Sequence, residues 1–324
     1  MRLFIRADAS TTLGSGHVKR CFAIAERSNL APADVCFLCL PHDGHLGDDI
    51  QARRFQLRWL ADNDADSLNA EITPDATLLI DHYAIDERIE SQLHANKIVV
   101  LDGQATQRHH CNTLVDPSGE SDRQRHARSL KATTQLCVGP RYIPLATRFL
   151  DAQSRPLRQR LTAVLICFGG TDPSNLTQRI AATLCKHLDL SVTLIAGPQN
   201  AHLASLQQFV ATAPNCRLDI APTDLKPHYL AADLAIGAGG VMSWERIAMA
   251  LPSIVLPIAD NQRRQTRALS QQQLIWSCDD LENLEALLNL IKDDPQQLTA
   301  QSARCKAIAD TIGVPNPWPE LIRD

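Results

Sequence analysis

The stretch Asp233-Leu-Ala-Ile-Gly-Ala-Gly-Gly-Val-Met-Ser-Trp-Glu245 joins a predicted strand to a predicted helix. Residues 234–236 are apolar and predict a short buried strand. The glycines that follow allow a tight turn and a close approach of the backbone to a ligand. From residue 241 to residue 250 the apolar residues recur at helical spacing. A glycine turn that leads into a helix presents N–H groups and the positive end of the helix dipole, which suits phosphate.

Two side chains of this stretch suit a nucleotide. Ser243 lies in the predicted first turn of the helix, where its hydroxyl provides a further donor. Glu245 follows at a distance that reaches a ribose diol when phosphate occupies the turn. A tight strand-to-helix turn with a surface glutamate gives the same pattern, so the stretch alone leaves both interpretations open.

Composition disfavours several classes of protein. The chain has 324 residues, of which 44% are hydrophobic and 21% charged, which is typical of a globular protein with two domains. A net charge of −4 without a basic run, and an aromatic content of 4%, disfavour nucleic-acid binding. No apolar run approaches the ~20 residues of a membrane span. Residues 1–6 lead directly into a strand without a signal peptide, so we expect a cytoplasmic protein.

Ten cysteines are enough for disulfides or a zinc site. Most lie in apolar segments, where cysteine behaves as a small hydrophobic residue. Cys36 and Cys39 form a CxxC pair on a predicted strand, but their odd separation places them on opposite faces, so they cannot bind one metal ion together. The run His109-His110-Cys111 has no second cluster to complete a site. We expect buried, reduced thiols and neither a metal nor another cofactor.

The first half of the chain alternates predicted strands with polar or helical stretches. A strand over residues 3–7 is followed by Gly14-Ser-Gly-His17 and a helix, which makes a second unit of strand, glycine loop and helix. Further strands are predicted at residues 35–40, 57–60, 77–80 and 97–101. Such alternation predicts a parallel sheet covered by helices. Asp62-Asn-Asp-Ala-Asp66 resembles a metal-binding run, but a solvated acidic loop is the favoured interpretation.

The amino-acid composition changes between residues 136 and 160. Prolines, a glycine and a polar run over residues 151–160 indicate a connection between domains. The pattern then restarts with a predicted strand, the loop Gly169-Gly-Thr-Asp-Pro-Ser-Asn175 and a helix. The elements predicted from here are strands at 161–168, 191–196 and 253–256, and helices at 176–188, near 203–210 and towards the end of the chain. We predict an α/β protein with two Rossmann-like domains, residues 1–145 and 146–324, and a ligand site in the cleft between them.

Four motifs in this order resemble those of one family. They are Arg6-Ala-Asp-Ala-Ser10 with Gly14-Ser-Gly-His17-Val-Lys-Arg-Cys21, the loop 169–175, the stretch 237–245, and Ala259-Asp-Asn-Gln262. The chain resembles the hydrolases of pseudaminic acid biosynthesis that release UDP from UDP-2,4-diacetamido-2,4,6-trideoxy-β-L-altropyranose. This family is related to GT-B glycosyltransferases, including the N-acetylglucosaminyl transferase of peptidoglycan synthesis. The resemblance implies two Rossmann-like domains of the GT-B type, UDP held mainly by the second, and no required metal.

The resemblance also implies roles for individual residues. His17 matches the catalytic base of the family, and Asn175 and Glu245 match substrate-contacting positions. Tyr83 matches an active-site tyrosine, with a packed aromatic as the alternative. Asp8 orients His17, contacts the substrate or caps the end of its strand. Further residues expected to bind the UDP-sugar are Gly16, Gly170, Gly239, Gly240, Ser243, Asn261 and Gln262, although the last two alternatively cap the following helix.

The chain departs from the family pattern at a few positions of the first domain. Asp102-Gly103 stands where the family more often has paired aspartates, and Asn112 and Asp116-Pro-Ser-Gly119 differ from its usual acidic residues. Because this domain is expected to face the sugar, these changes leave the identity of the sugar open.

The expected chemistry agrees with these residue types. Cleavage of a glycosyl–UDP bond develops negative charge on the leaving diphosphate, which a helix N-terminus after Gly239 opposes. A water that attacks the anomeric carbon with inversion must lose a proton, and an imidazole is suited to accept it. Without the resemblance, a helix-terminal hydrogen bond is the simpler interpretation of His17. A GT-B glycosyltransferase and a non-catalytic nucleotide-sugar binding protein are the alternative functions.

Overall fold

The computed structural model describes residues 2–150, 156–185 and 190–323. The chain forms two compact units, the first made of residues 1–147 and 311–324, and the second of residues 148–310. The expected boundary after residue 145 lies near the first crossing between the units. The expected second domain, 146–324, differs from the structure at its end, where residues 311–324 return to the first unit. No helix in the described part of the chain combines the length and apolar character needed to cross a membrane.

A seven-stranded parallel sheet forms the centre of the first unit, with strands in the order β3-β2-β1-β4-β5-β6-β7. The strands are β1 (Leu3–Ala7), β2 (Val35–Cys39), β3 (Gln56–Trp59), β4 (Thr77–Asp81), β5 (Lys97–Leu101), β6 (Thr113–Val115) and β7 (Gln135–Cys137). The helices before the first crossing are α1 (Gly16–Arg27), α2 (Gly47–Ala52), α3 (Ala65–Asn69) and α4 (Glu87–Glu90). Cys39 and Cys36 belong to two different apolar clusters, as expected for opposite faces of β2.

A six-stranded parallel sheet forms the centre of the second unit, in the order β10-β9-β8-β11-β12-β13. Its strands are β8 (Ala163–Cys167), β9 (Ser191–Ala196), β10 (Cys216–Ile220), β11 (Leu234–Gly237), β12 (Ser253–Val255) and β13 (Trp276–Ser277). Its helices are α5 (Leu176–Leu184), α6 (Leu203–Thr212), α7 (Lys226–Ala231), α8 (Val241–Ala248), α9 (Asp260–Gln271), α10 (Leu281–Asp293) and α11 (Pro295–Ala309). Residues 186–188 of the predicted helix 176–188, and 151–155 of the predicted connection, lie outside the described residues.

The last helix, α12 (Trp318–Arg323), packs on the first unit. Trp318 and Ile322 are fully buried in the same apolar cluster as β1 and α1. The Oγ1 of Thr77, at the start of β4, donates to the carbonyl of Ile322 at 2.8 Å. Burial of a large apolar side chain contributes roughly 1.5–3 kcal/mol, so α12 is an integral part of the core of this unit.

The expectation that the cysteines are reduced is wrong for one pair. A disulfide joins Cys185, directly after α5, to Cys216 at the start of β10. The other eight cysteines are buried, and none of them forms a disulfide within the described residues. The two bonded residues are 31 positions apart. They meet because α5 packs against β9 and β10 pairs with β9, which the local sequence does not encode.

Candidate active site

The strand order of each sheet reverses beside the first strand of its unit. In the first unit the chain proceeds from β1 through β2 to β3, then returns to place β4 on the other side of β1. In the second unit β8 and β11 form the equivalent pair. Loops that leave the carboxyl ends of such a pair diverge, and ligands of open α/β sheets bind in the crevice between them. The residues predicted from the sequence can therefore be located against these two points.

In the first unit, the ends of β1 and β4 bring His17 and Asp81 together. Ala7, at the end of β1, pairs with Asp81, at the end of β4. The loop after β1 leads to α1, of which His17 is the second residue. The imidazole Nδ1 of His17 lies 2.7 Å from Oδ1 of Asp81, whose side chain is fully buried. The sequence motif contains the histidine, but its partner comes from the neighbouring strand.

The surroundings of Asp81 determine which nitrogen of the imidazole carries the proton. Arg20, one turn further along α1, binds both oxygens of the Asp81 carboxylate. Burial opposes ionisation, but the charges and hydrogen bonds of Arg20 and His17 outweigh it and hold the pKa of Asp81 well below its usual range. An ionised carboxylate only accepts hydrogen bonds. The Nδ1 of His17 is therefore the donor, and Nε2 of the neutral imidazole is left as the proton acceptor.

Two further contacts surround the imidazole of His17. The Nη2 of Arg20 lies 3.2 Å from Nδ1, but it cannot donate to a nitrogen that already bears a proton, so its hydrogen bonds go to Asp81. The ring of Tyr83 meets the imidazole edge-on, with centroids 4.9 Å apart. Tyr83 is 38% exposed, so its ring packs on His17 without being enclosed in the core. Gly16 precedes His17 at the start of α1, where an added Cβ would meet no described atom within 4 Å.

Asp8 belongs to a separate charged cluster. Its buried carboxylate accepts two parallel hydrogen bonds from Arg6, at 2.7 and 2.6 Å. The Nε2 of His82 lies 3.1 Å from Oδ2, and the backbone N–H of Leu40 donates to Oδ1. Burial is again outweighed by these partners, which hold the pKa of Asp8 well below its usual range. Within the described residues the imidazole of His17 contacts Asp81 rather than Asp8, and the bond from Leu40 joins Asp8 to the end of β2, the strand beside its own.

In the second unit, Gln262 holds the glycine turn after β11. Its Oε1 accepts hydrogen bonds from the backbone N–H groups of Gly239 and Ile258, each at 3.1 Å. A Cβ at Gly239 would lie 3.0 Å from the side chains of Gln262 and Thr266, so a larger residue would push the turn away from α9. Gly240 has a φ of +83°, which glycine adopts without strain. Asn261 is exposed beside Gln262 in the first turn of α9.

The helices that follow β8 and β11 differ in how their N-termini are satisfied. Asp172 accepts from the backbone N–H groups of Leu176 and Thr177 at 2.9 Å each, so a buried carboxylate already occupies the start of α5. In the part of the chain that the structure describes, the start of α8 has no side-chain cap, and its first turn has no acidic residue. First-turn N–H groups lack partners within the helix, so α8 offers the better site for an anion.

Asn175 and Gly170 lie in the loop after β8. Asn175 precedes α5 with a φ of +50°, in the left-handed region that asparagine tolerates. Its Oδ1 is buried and has no hydrogen-bond partner within the described residues. At Gly170 a Cβ would meet no described atom within 4 Å, so the backbone there is open to close approach.

The side chains of α8 continue inward from the glycine turn. Glu245 is partly buried, and its Oε2 accepts a hydrogen bond of 2.9 Å from the hydroxyl of Tyr229. Ser243 is buried, and its Oγ accepts from Nη2 of Arg246 at 3.2 Å. The same nitrogen of the fully buried Arg246 donates to the carbonyl of Ala238 at 2.7 Å. Arg246 thus holds the turn from the protein side and places a positive charge beneath it.

The acidic run at residues 62–66 forms a capped turn. Asp64 accepts from the backbone N–H of Ser67 as the N-cap of α3, and Asp62 accepts from the backbone N–H of Asp64. Both carboxylates lie on exposed residues. Within the residues that the structure describes, no group of three or more His, Cys, Asp or Glu side chains is placed to hold a metal ion.

Sequence reasoning missed several partners of the predicted residues. They are Arg20 and Asp81 in the first unit, and Asp172, Tyr229 and Arg246 in the second. Asp81 carried a usable signal, since a carboxylate at the end of a strand beside the first glycine loop is expected to meet that loop. Tyr229 and Arg246 carried none, because both lie within helices and neither belongs to a glycine loop or to the end of a strand.

Sequence comparison finds a relative in the family that the four motifs resemble. No protein-family model matches the chain. The chain is 29% identical over 223 residues to the UDP-2,4-diacetamido-2,4,6-trideoxy-beta-L-altropyranose hydrolase of Campylobacter jejuni, an alignment that covers 68% of this chain and 78% of that protein. The resemblance to that hydrolase is confirmed.

Solved structures extend the similarity over the whole fold. MurG of Acinetobacter baumannii matches with a TM-score of 0.65 at 14% identity, covering 96% of this chain and 98% of that chain. Anabaena Alr3699/HepE in complex with UDP also matches with a TM-score of 0.65, at 10% identity, covering 99% of this chain and 98% of that chain. The chain has a GT-B fold. At these identities the likeness establishes the architecture alone, and the GT-B fold accounts for both parallel sheets.

Proposed function

We propose that the chain hydrolyses a UDP-linked 2,4-diacetamido-2,4,6-trideoxyhexose and releases UDP and the free sugar in pseudaminic acid biosynthesis. The observation that carries the proposal is the pair of His17 and Asp81, 2.7 Å apart at the reversal of the first sheet. A histidine held through Nδ1 by a carboxylate has Nε2 available as a general base. The name of the Campylobacter relative, a UDP-sugar hydrolase, supports the same chemistry.

The second unit is proposed to bind UDP. The N-terminus of α8, which follows the glycine turn at residues 238–240, binds the diphosphate through its first-turn backbone N–H groups and the helix dipole. The buried charge of Arg246 beneath the turn adds to this attraction. Glu245, one helical turn further, accepts hydrogen bonds from the ribose hydroxyls. The unpaired Oδ1 of Asn175 and the open backbone at Gly170 make the loop after β8 the second binding element.

The proposed step is a single displacement at the anomeric carbon. The oxygen of a water molecule forms a bond to that carbon while the Nε2 of His17 takes the proton. The bond from the anomeric carbon to the β-phosphate oxygen breaks, and its electron pair leaves with UDP, whose growing charge the start of α8 stabilises. Because one nucleophile displaces one leaving group, the sugar emerges with inverted configuration. Tyr83 lies beside the imidazole and is proposed to line the sugar site.

Release of UDP in the absence of any acceptor tests this proposal. The chain incubated with a UDP-diacetamido-trideoxyhexose should release UDP, and in ¹⁸O-labelled water the label should appear in the free sugar. Label in UDP would instead mean attack on phosphorus and would overturn the proposed step. The His17→Asn variant should retain UDP binding and lose ~10²–10⁴ in turnover, the usual contribution of a general base. Near-normal turnover by this variant would remove His17 from the mechanism.

A UDP-sugar glycosyltransferase is the second candidate, because the chain shares the GT-B fold with MurG. Such an enzyme uses the same UDP site but directs a hydroxyl of an acceptor, rather than water, at the anomeric carbon. The assay without acceptor separates the two, since a transferase releases UDP at an appreciable rate only when an acceptor is added. A protein that binds UDP-sugar without releasing UDP under either condition would be a binding protein.

A further inference from the structure

The carboxylate of Glu245 is held by a tyrosine from another helix. Tyr229 lies on α7, before β11, whereas Glu245 lies on α8, after it. The hydroxyl of Tyr229 reaches Oε2 of Glu245 at 2.9 Å. The hydrogen bond therefore ties together the helices that precede and follow β11 in the chain.

Tyr229 is immobilised within the core of the second unit. Its side chain is fully buried, and its ring packs against Phe149 with centroids 5.8 Å apart. The buried Arg158 donates to the carbonyls of Tyr229 and Ala232, each at 2.8 Å, and so fixes the backbone at the end of α7. A hydroxyl on such a rigid support restricts the carboxylate that it binds to a small part of its rotamer space.

The hydroxyl of Tyr229 is a permanent donor. Burial, together with the charge of Glu245, raises the pKa of Tyr229 well above its usual value, so the phenol stays protonated throughout the physiological range. A protonated phenol beside a carboxylate donates to it. A carboxylate offers about four lone-pair sites, of which the bond from Tyr229 occupies one.

We propose that Tyr229 is a positioning residue that sets the orientation of Glu245 for recognition of the ribose diol. This inference rests on the proposed function, in which Glu245 binds the ribose of UDP. A glutamate side chain loses considerable rotamer freedom when it is fixed, and Tyr229 imposes that loss before the ligand arrives. The preference for a nucleotide with a complete ribose therefore depends on a residue that does not itself touch the nucleotide.

Binding of UDP and of 2′,3′-dideoxy-UDP to the same variants tests the inference. Wild type should bind UDP about 10- to 100-fold more tightly than the dideoxy ligand, which has no ribose hydroxyls to donate to the carboxylate of Glu245. Tyr229→Phe keeps the ring and removes only the hydroxyl, and it should reduce this ratio about 3- to 10-fold. Glu245→Ala should bring the ratio close to one, and the double variant should equal Glu245→Ala. Tyr142→Phe, which removes a phenol hydroxyl from the first unit, should keep the wild-type ratio.

The ratio compares two ligands on one preparation, so a partly unfolded variant changes both affinities equally and leaves the ratio intact. A wild-type ratio in Tyr229→Phe would overturn the inference while leaving Glu245 as the ribose ligand. Equal binding of the two ligands by wild type would overturn the ribose assignment and the inference together. The binding ratio does not depend on turnover. If the chain prefers UDP to the dideoxy ligand as expected but releases no UDP from a UDP-sugar, the inference is supported and the proposed hydrolysis is refuted.

Discussion

Substitution of Asp81 by asparagine should slow turnover without weakening UDP binding. The amide keeps the shape of the carboxylate but offers both a donor and an acceptor, so it no longer obliges Nδ1 of His17 to bear the proton. An imidazole with its proton on Nε2 cannot accept one from water. In the serine-protease triad the same exchange lowers kcat about 10⁴-fold, and a general base contributes ~10²–10⁴ in total. We therefore expect kcat to fall ~10²–10⁴-fold.

The assay compares UDP release at saturating substrate with UDP affinity measured by calorimetry. Because Asp81 acts through His17, the double variant with His17→Asn should be no slower than His17→Asn alone. Asp81→Asn also leaves Arg20 without its counter-charge, at a cost of up to ~3–5 kcal/mol in stability. Glu90→Gln controls for this effect, since it removes a buried carboxylate that lies 2.8 Å from His109 in the same unit, and its kcat should stay near wild type. Normal turnover by Asp81→Asn, or losses that multiply in the double variant, would refute the reasoning.

Three further expectations follow from the structure. Glu245→Ala should weaken UDP binding by ~1–3 kcal/mol, the range for a hydrogen bond to a charged group, and an unchanged calorimetric affinity would remove it from the ribose site. Excess EDTA should leave UDP release unchanged; a loss that magnesium or manganese restores would contradict a metal-independent step. Burial opposes the charge of His109, but Asp102 and Glu90 raise its pKa to about 9. Its stabilising contribution is therefore complete below the unfolded pKa of ~6.5 and lost as pH rises through about 9. Urea titrations of wild type should show the free energy of unfolding falling by on the order of 3 kcal/mol or less over this pH range. The His109→Gln variant should not show this fall.

The sequence pattern predicted the two-sheet architecture because most central strands are apolar and bounded by loops. Strands β1, β4 and β5 are buried along their whole length, and each has one charged residue, Arg6, Asp81 and Lys97 respectively, in an otherwise apolar or β-branched run. The strands that escaped prediction are different in character. β6 and β7 have three residues each and β13 has two, too few to establish a period, and β10 has no fully buried residue. Such strands form because a neighbouring strand provides hydrogen-bond partners, not because of their own composition.

The candidate site was predictable where one motif contains both the loop and its helix. His17, Asn175 and Glu245 each lie in or just after a glycine-rich loop, so a local pattern was enough to single them out. Their partners were not predictable in this way. The contact of His17 with Asp81 spans 64 positions and depends on the register of β1 against β4. Orientation of His17 was one of three roles considered for Asp8, at the end of β1, whereas the carboxylate beside His17 comes from the end of β4.

The return of α12 to the first unit has a consequence for the order in which the chain folds. The second unit is continuous in sequence, whereas the first needs residues from both sides of it. Trp318, which completes the core beneath β1, is synthesised only after the whole second unit. Domains usually fold in the order of their synthesis, but here the second unit can reach its full core on the ribosome before the first can. Loss of α12 would therefore damage the unit that carries His17 and spare the glycine turn of α8, although α12 follows α8 in the chain.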